Sequence, residues 1–196
     1  IEKNGFVRIE RLGGVPEKAL ASQAVIFPLE NGSEIFGIIA KPNLKNFDRI
    51  KSSLTNFLKK RNSSALIESN LSNADYDSKI YVTRKTLVKK SDVLVVFGGD
   101  GTLRHIAEEA AINKKPVIGI NLGTLGFLTE GSISKLNSIL KEFFENKLVP
   151  DKRQLLNARI YKKNKLVSKT NFLNDAVINK GALAKIINLD LFVDDI

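Results

Sequence analysis

Short apolar runs alternate with helical repeats along the chain, a pattern typical of an α/β fold. The β-branched run at residues 35–40 predicts a buried strand, and a turn follows it. Apolar residues then recur at three- and four-residue intervals from 47 to 58, which predicts an amphipathic helix. Residues 64–67 predict a second strand, and residues 71–78 read as a polar loop.

The clearest pattern lies between residues 92 and 120. The run 92–97 is apolar on both faces and predicts a central parallel strand. Apolar positions from Leu103 to Ala111 predict a helix, and residues 116–120 predict the next strand. A strand, helix and strand in succession imply a parallel sheet with ligands bound outside the carboxyl ends of its strands.

The pattern changes after residue 150. A predicted helix at 132–146 is ended by Pro150, and alternating runs at 155–161, 166–169, 172–178 and 187–193 predict short antiparallel strands. We therefore expect a parallel-sheet, nucleotide-binding α/β domain at 35–149 and a partial, β-sandwich-like domain at 150–196. Residues 1–34 are expected to be an extension of unknown role, with at most a short strand at 24–27.

The amino-acid composition limits which catalytic and metal-binding sites are possible. The absence of cysteine excludes disulfides, thiolate catalysis and Cys-ligated zinc, and a single histidine disfavours a histidine-rich metal site. The formal charge of +10 suggests an anionic partner, although scattered lysines also fit a merely lysine-biased composition. With no apolar run near membrane length, we expect a cytoplasmic protein without membrane or nucleic-acid partners.

The candidate chemistry lies directly after the central strand, in Gly98, Gly99, Asp100, Gly101 and Thr102. Glycines at a strand end let the backbone turn sharply, and a following helix directs free N–H groups at a phosphate. The carboxylate at the mouth of this site could take a proton from a hydroxyl nucleophile or help organise Mg²⁺. The plainer alternative is a tight turn capped by its own side chains.

Two further polar segments are candidates. Asn121 and Gly123 form a second backbone-rich loop after the next parallel strand, although an asparagine here can also be a turn residue bonding its own backbone. Asn174 and Asp175 interrupt a strand-like run, which by itself indicates only a turn.

Together these segments resemble the NAD kinase family. The string GGDGT is shared with lipid kinases and, in a variant form, with phosphofructokinases, so it identifies only a superfamily. Residues 119–128, GINLGTLGFL, resemble the family's GxNxGxLGFL segment, and NDAV at 174–177 with Gly181 resembles its N[DE]-V/A stretch. The resemblance covers roughly residues 35–196.

The resemblance implies roles for single residues. Asp100 matches the catalytic acid that contacts or activates the 2′-hydroxyl of the NAD adenosine ribose, and the glycine turn matches the phosphate-binding turn. Asn174 and Asp175 match the pair that holds NAD. His105 and Phe127 are further nucleotide-binding candidates, although a surface or packing role is open for both. The family also implies Mg²⁺ or another divalent cation with ATP, NAD as substrate, no protein ligand set for a metal, and a homo-oligomer.

Several alternatives stay open. The family's DG…TPTGSTAY-type segment does not appear, so we expect a chain truncated at its C-terminal end, and a missing methionine at residue 1 suggests a fragment. The runner-up enzyme is a diacylglycerol- or sphingosine-type lipid kinase. A truncated nucleotide-binding module without catalysis and a basic nucleic-acid binder are the other readings.

Overall fold

The fold is built from nine strands and four helices in the part of the chain that the structure describes. This computed structural model describes residues 5–11, 34–41, 44–71, 79–123, 126, 128–129, 131–151, 153, 155–173 and 175–178. The strands are β1 Gly5–Arg11, β2 Ile35–Ala40, β3 Ser64–Glu68, β4 Tyr81–Val82, β5 Val93–Phe97, β6 Val117–Asn121, β7 Gly131–Ser132, β8 Leu156–Lys162 and β9 Lys165–Phe172. The helices are α1 Phe47–Lys59, α2 Arg84–Lys90, α3 Asp100–Ile112 and α4 Leu136–Phe144. No helix among these residues is long and apolar enough to cross a membrane.

A six-stranded parallel sheet forms the larger layer, in the order β4-β3-β2-β5-β6-β7. All five side chains of β5 are buried, because this strand has neighbours on both sides and helices over both faces. α1 connects β2 to β3, α2 connects β4 to β5 and α3 connects β5 to β6, as expected where parallel pairing requires a crossover. The predicted α/β fold is therefore confirmed.

Two apolar cores lie on opposite faces of this sheet. α1 and α4 pack on the face that contains Phe36 and Ile38. α2 and α3 pack on the face that contains Ile39 and Leu94. Successive side chains of β2 point to opposite faces of the sheet, so this strand contributes to both cores. The helices cover the two faces and leave the carboxyl edge of the sheet uncovered.

A second, antiparallel sheet has the order β1-β8-β9. Gly5 lies opposite Lys162 in the β1–β8 pairing. β8 and β9 form a hairpin whose turn residues, Lys163 and Asn164, both have positive φ, the backbone that a tight two-residue hairpin needs. This sheet confirms the expected β-rich part of the fold.

The structure differs from other predictions for the second sheet. The sequence predicted no strand at Gly5–Arg11, in the segment expected to be an extension. The predicted strand at 172–178 is wrong, because β9 ends at Phe172 and residues 175–178 are exposed and without regular structure. The predicted strands at 24–27 and 187–193 lie outside the described residues.

A hydrogen bond joins the second sheet to α3. Asn171 of β9 donates through Nδ2 to Oε1 of Glu108 at 2.5 Å. Asn157 of β8 in turn donates through Nδ2 to Oδ1 of Asn171 at 2.7 Å. The helix that begins at the glycine turn is thus tied to both layers of the fold.

Candidate functional site

The glycine turn starts where β5 ends and α3 begins. Gly98 N donates to the carbonyl oxygen of Ile120 at 2.9 Å, which holds the turn against β6. A Cβ on Gly98 would lie 2.5 Å from the Cβ of Thr102 and closer still to its hydroxyl. Gly99 is the N-cap of α3, and Thr102 N donates to its carbonyl oxygen at 3.0 Å. Close packing of the turn on the first turn of α3 therefore requires glycine at position 98.

The outer side of the turn is open. A Cβ built on Gly99 or Gly101 would meet no atom of the described residues within 4 Å. The first N–H groups of a helix have no partner within the helix, and they carry a partial positive charge. An anion can therefore approach the backbone of this turn closely.

Asp100 is the first residue of α3, and its carboxylate is held from outside the helix. Oδ1 accepts from Leu128 N at 3.0 Å, from Thr129 N at 3.2 Å and from the Thr129 hydroxyl at 3.2 Å. A Cβ on Gly126 would overlap Oδ1 of Asp100, so this loop approaches the carboxylate as closely as only glycine allows. The side chain of Asp100 thus has a fixed orientation.

A buried polar pair supports that loop. Thr129 is fully buried and Asn121 is 5% exposed. Asn121 Nδ2 donates to the Thr129 hydroxyl at 3.0 Å, and Asn121 Oδ1 accepts from Gly123 N at 2.8 Å. Asn121 therefore makes the turn bond considered from the sequence and also supports the contact to Asp100. Thr129 was missed from the sequence, where nothing distinguishes it from a packing residue.

We expect Thr129→Val to lower the free energy of unfolding by about 1–3 kcal/mol, because Asn121 Nδ2 loses its buried acceptor and Asp100 loses a donor. Urea denaturation of the full-length protein measures this change. Thr55→Val is the matched control: its hydroxyl donates to Lys51 O within α1 at 2.8 Å, so we expect a loss below about 0.5 kcal/mol. Equal stability of both variants would show that the buried pair contributes nothing.

The remaining predicted site residues lie further away or outside the described residues. His105 is exposed on α3, three residues after Thr102. Asp175 is exposed in a segment without regular structure after β9. Phe127 and Asn174 lie outside the described residues. The structure therefore brings together the glycine turn, Asn121 and Gly123.

A second carboxylate at the carboxyl edge of the parallel sheet forms an ion pair away from the glycine turn. Glu68, at the end of β3, is buried and accepts from Arg84 Nε at 2.7 Å. That hydrogen bond raises the pKa of the Arg84 guanidinium. No group of three His, Cys, Asp or Glu side chains among the described residues could hold a metal ion. Of these two carboxylates, Asp100 is the one that lies beside the open turn.

The sequence of this chain is similar to sequences of one known family. Residues 36–148 match the family model for the ATP-NAD kinase N-terminal domain. The chain is 34% identical over 159 residues to an NAD kinase of Trichlorobacter lovleyi, covering 81% of this chain and 55% of that protein. It is 31% identical over 142 residues to an NAD kinase of Acetivibrio thermocellus, covering 72% of this chain and 49% of that protein.

A solved structure shares the fold. The crystal structure of yeast NADH kinase complexed with NADH matches with a TM-score of 0.50 and 19% identity, covering 74% of this chain and 47% of that one. At this identity the likeness concerns the fold alone. The chain spans about half the length of the relatives that it matches.

Proposed function

Because this chain belongs to the NAD kinase family, we propose that the protein transfers a phosphoryl group from ATP or another donor to the 2′-hydroxyl of the NAD adenosine ribose, giving NADP. One observation carries the proposal. The Asp100 carboxylate is fixed at the start of α3 by three hydrogen bonds, directly beside a turn with open backbone. This arrangement supports a base next to a phosphate-binding surface.

Asp100 is the proposed catalytic base. It accepts the proton of the 2′-hydroxyl while that oxygen bonds to the terminal phosphorus of the donor and the bond from phosphorus to the leaving oxygen breaks. Such a transfer requires positioning more than covalent chemistry. The hydrogen bonds from Leu128 and Thr129 supply the positioning by fixing the carboxylate.

The glycine turn is the proposed phosphate site. Its members are Gly98, Gly99, Gly101 and Thr102. The backbone N–H groups at the start of α3 would bind phosphate oxygens and stabilise the charge of the transition state. The other proposed nucleotide-binding residues are His105, Asn121, Gly123, Phe127, Asn174 and Asp175. Because Asn121 is buried, its contribution would come through Thr129 and the loop.

Mg²⁺ is proposed to enter with the donor. Magnesium commonly binds through one or two carboxylates and the substrate phosphates rather than in a cage of protein ligands. One described carboxylate, Asp100, beside an open turn fits that mode, and it would help to hold the ion. When bound, the ion would neutralise charge on the phosphates.

Location and assembly complete the proposal. We propose that the reaction takes place in the cytoplasm. We also propose a homo-oligomer. Its support is three exposed apolar side chains on the second sheet, namely Ile160, Leu166 and Val167.

An acceptor comparison tests the proposed function. The full-length protein is incubated with radiolabelled ATP and Mg²⁺, and with either NAD or diacylglycerol in detergent micelles. Label in NADP alone is the expected result. Label in the lipid alone would replace the proposal with a lipid kinase. Binding of NAD without any transfer would make the protein a nucleotide-binding module.

A further inference from the structure

A cleft of about 700 Å³ opens at the carboxyl edge of the parallel sheet. Lys41, the residue directly after β2, and Leu122, the residue directly after β6, both line it. The first half of α1 forms one wall through Arg49 and Ile50. Ile133, just before α4, belongs to the opposite wall. The cleft therefore lies on the face of the sheet that α1 and α4 cover.

The glycine turn begins between the two strands that border this cleft. β5 lies between β2 and β6 in the sheet. Lys41 N donates to the carbonyl oxygen of Phe97 at 2.9 Å, and Gly98 N donates to that of Ile120 at 2.9 Å. Neighbouring strands are about 4.8 Å apart, so β2 and β6 are separated by only about 10 Å. A ligand that crosses the cleft would pass over the end of β5.

The cleft is positively charged. Lys41, Lys45 and Arg49 line it, and no Asp or Glu of the described part of the chain does. All three are exposed, and none forms an ion pair with any described residue. Lys51, further along α1, differs in that it pairs with Asp48 at 3.1 Å. Three cations without a carboxylate partner in a concave site attract an extended anion.

Asp100 approaches the turn from the other face of the sheet. A Cβ on Gly119 would lie 3.1 Å from Leu103 of α3 and 3.1 Å from Thr129. The loop that holds Asp100 therefore lies on the α3 side. In phosphoryl transfer the attacking and leaving oxygens lie on opposite sides of the phosphorus. An acceptor at Asp100 and a donor that approaches from the side of the cleft would satisfy this requirement.

We propose that this cleft binds the oligophosphate chain of the phosphoryl donor. Lys41, Lys45 and Arg49 hold the phosphates and direct the terminal group to Gly98 and Gly99. The inference rests on the proposed function for its biological role. The chemistry that it names, a chain of linked phosphates, is common to ATP and inorganic polyphosphate.

Binding of inorganic tripolyphosphate tests the site without turnover. Isothermal titration calorimetry compares the full-length protein with the double variant Lys45→Gln/Arg49→Gln. The control variant is Lys59→Gln/Lys60→Gln, which removes the same charge from the far end of α1. We expect Kd to rise about tenfold or more in the first variant and to stay within about twofold in the control. An unchanged Kd in the first variant overturns the inference, whether or not the protein phosphorylates NAD.

Steady-state kinetics separate donor from acceptor. With the Lys45→Gln/Arg49→Gln variant we expect KM for the donor to rise about tenfold while KM for NAD stays within about twofold. A rise in KM for NAD alone overturns the inference, because it would make the cleft an acceptor site. If ATP displaces tripolyphosphate, the site takes the phosphates of ATP. If only longer inorganic chains displace it, the donor is polyphosphate.

Discussion

We expect Asp100→Asn to lower kcat for NADP formation by about 10²- to 10⁴-fold, because the amide cannot accept the proton of the attacking hydroxyl. Asparagine has the same shape, and its Oδ1 can keep the hydrogen bonds from Leu128 N and Thr129 N. We therefore expect the Kd for NAD to change little. Coupled measurement of NADP gives kcat, and fluorescence titration gives the Kd.

Asp92→Asn is the matched control. Asp92 precedes β5 at the opposite edge of the sheet, where its Oδ2 accepts from Ile35 N at 2.8 Å. We expect kcat within about twofold of the unmodified protein, because the change is remote from the turn. If Asp100→Asn also kept kcat within that range, Asp100 would not be the base.

Gly126→Ala should lower kcat by about 10²-fold, because the new methyl group displaces the loop that holds the base. Its Cβ would overlap Oδ1 of Asp100 and lie 2.8 Å from both the Asp100 Cγ and the Thr129 hydroxyl. A displacement of about 1 Å at a catalytic group can cost two orders of magnitude in rate. The coupled assay measures kcat, and circular dichroism verifies the fold.

A double variant separates this effect from general damage. If Gly126 acts through Asp100, Gly126→Ala combined with Asp100→Asn should have the same kcat as Asp100→Asn alone, since residues that act as a unit are not additive. Multiplied losses in the double variant would mean that the glycine acts independently of the base.

Local sequence patterns predicted the parallel sheet and the glycine turn well. The buried run of β5 and the helical spacing of α3 are contiguous in the chain, so a short window contains the whole signal. The helix α2 was not predicted, because only Leu87 and Val88 are buried among its seven residues. So few apolar positions do not establish a helical period.

Contacts between distant segments could not be predicted. β1 forms its hydrogen bonds with β8, about 150 residues later in the chain, and a strand of alternating charged and apolar residues gives no sign of its partner. The support of Asp100 by Thr129 is likewise invisible, since a threonine in a packed loop looks the same in sequence whatever it bonds. The cleft combines residues near 41–49 with residues near 133, which only the fold brings together.

Formation of NADP by the full-length protein is the most direct test of the central claim. The protein is incubated with ATP, Mg²⁺ and NAD, and NADP is detected through an NADP-specific dehydrogenase, with Asp100→Asn in parallel. The account predicts NADP from the unmodified protein and almost none from the variant. Absence of NADP in a preparation that binds both NAD and tripolyphosphate would contradict it.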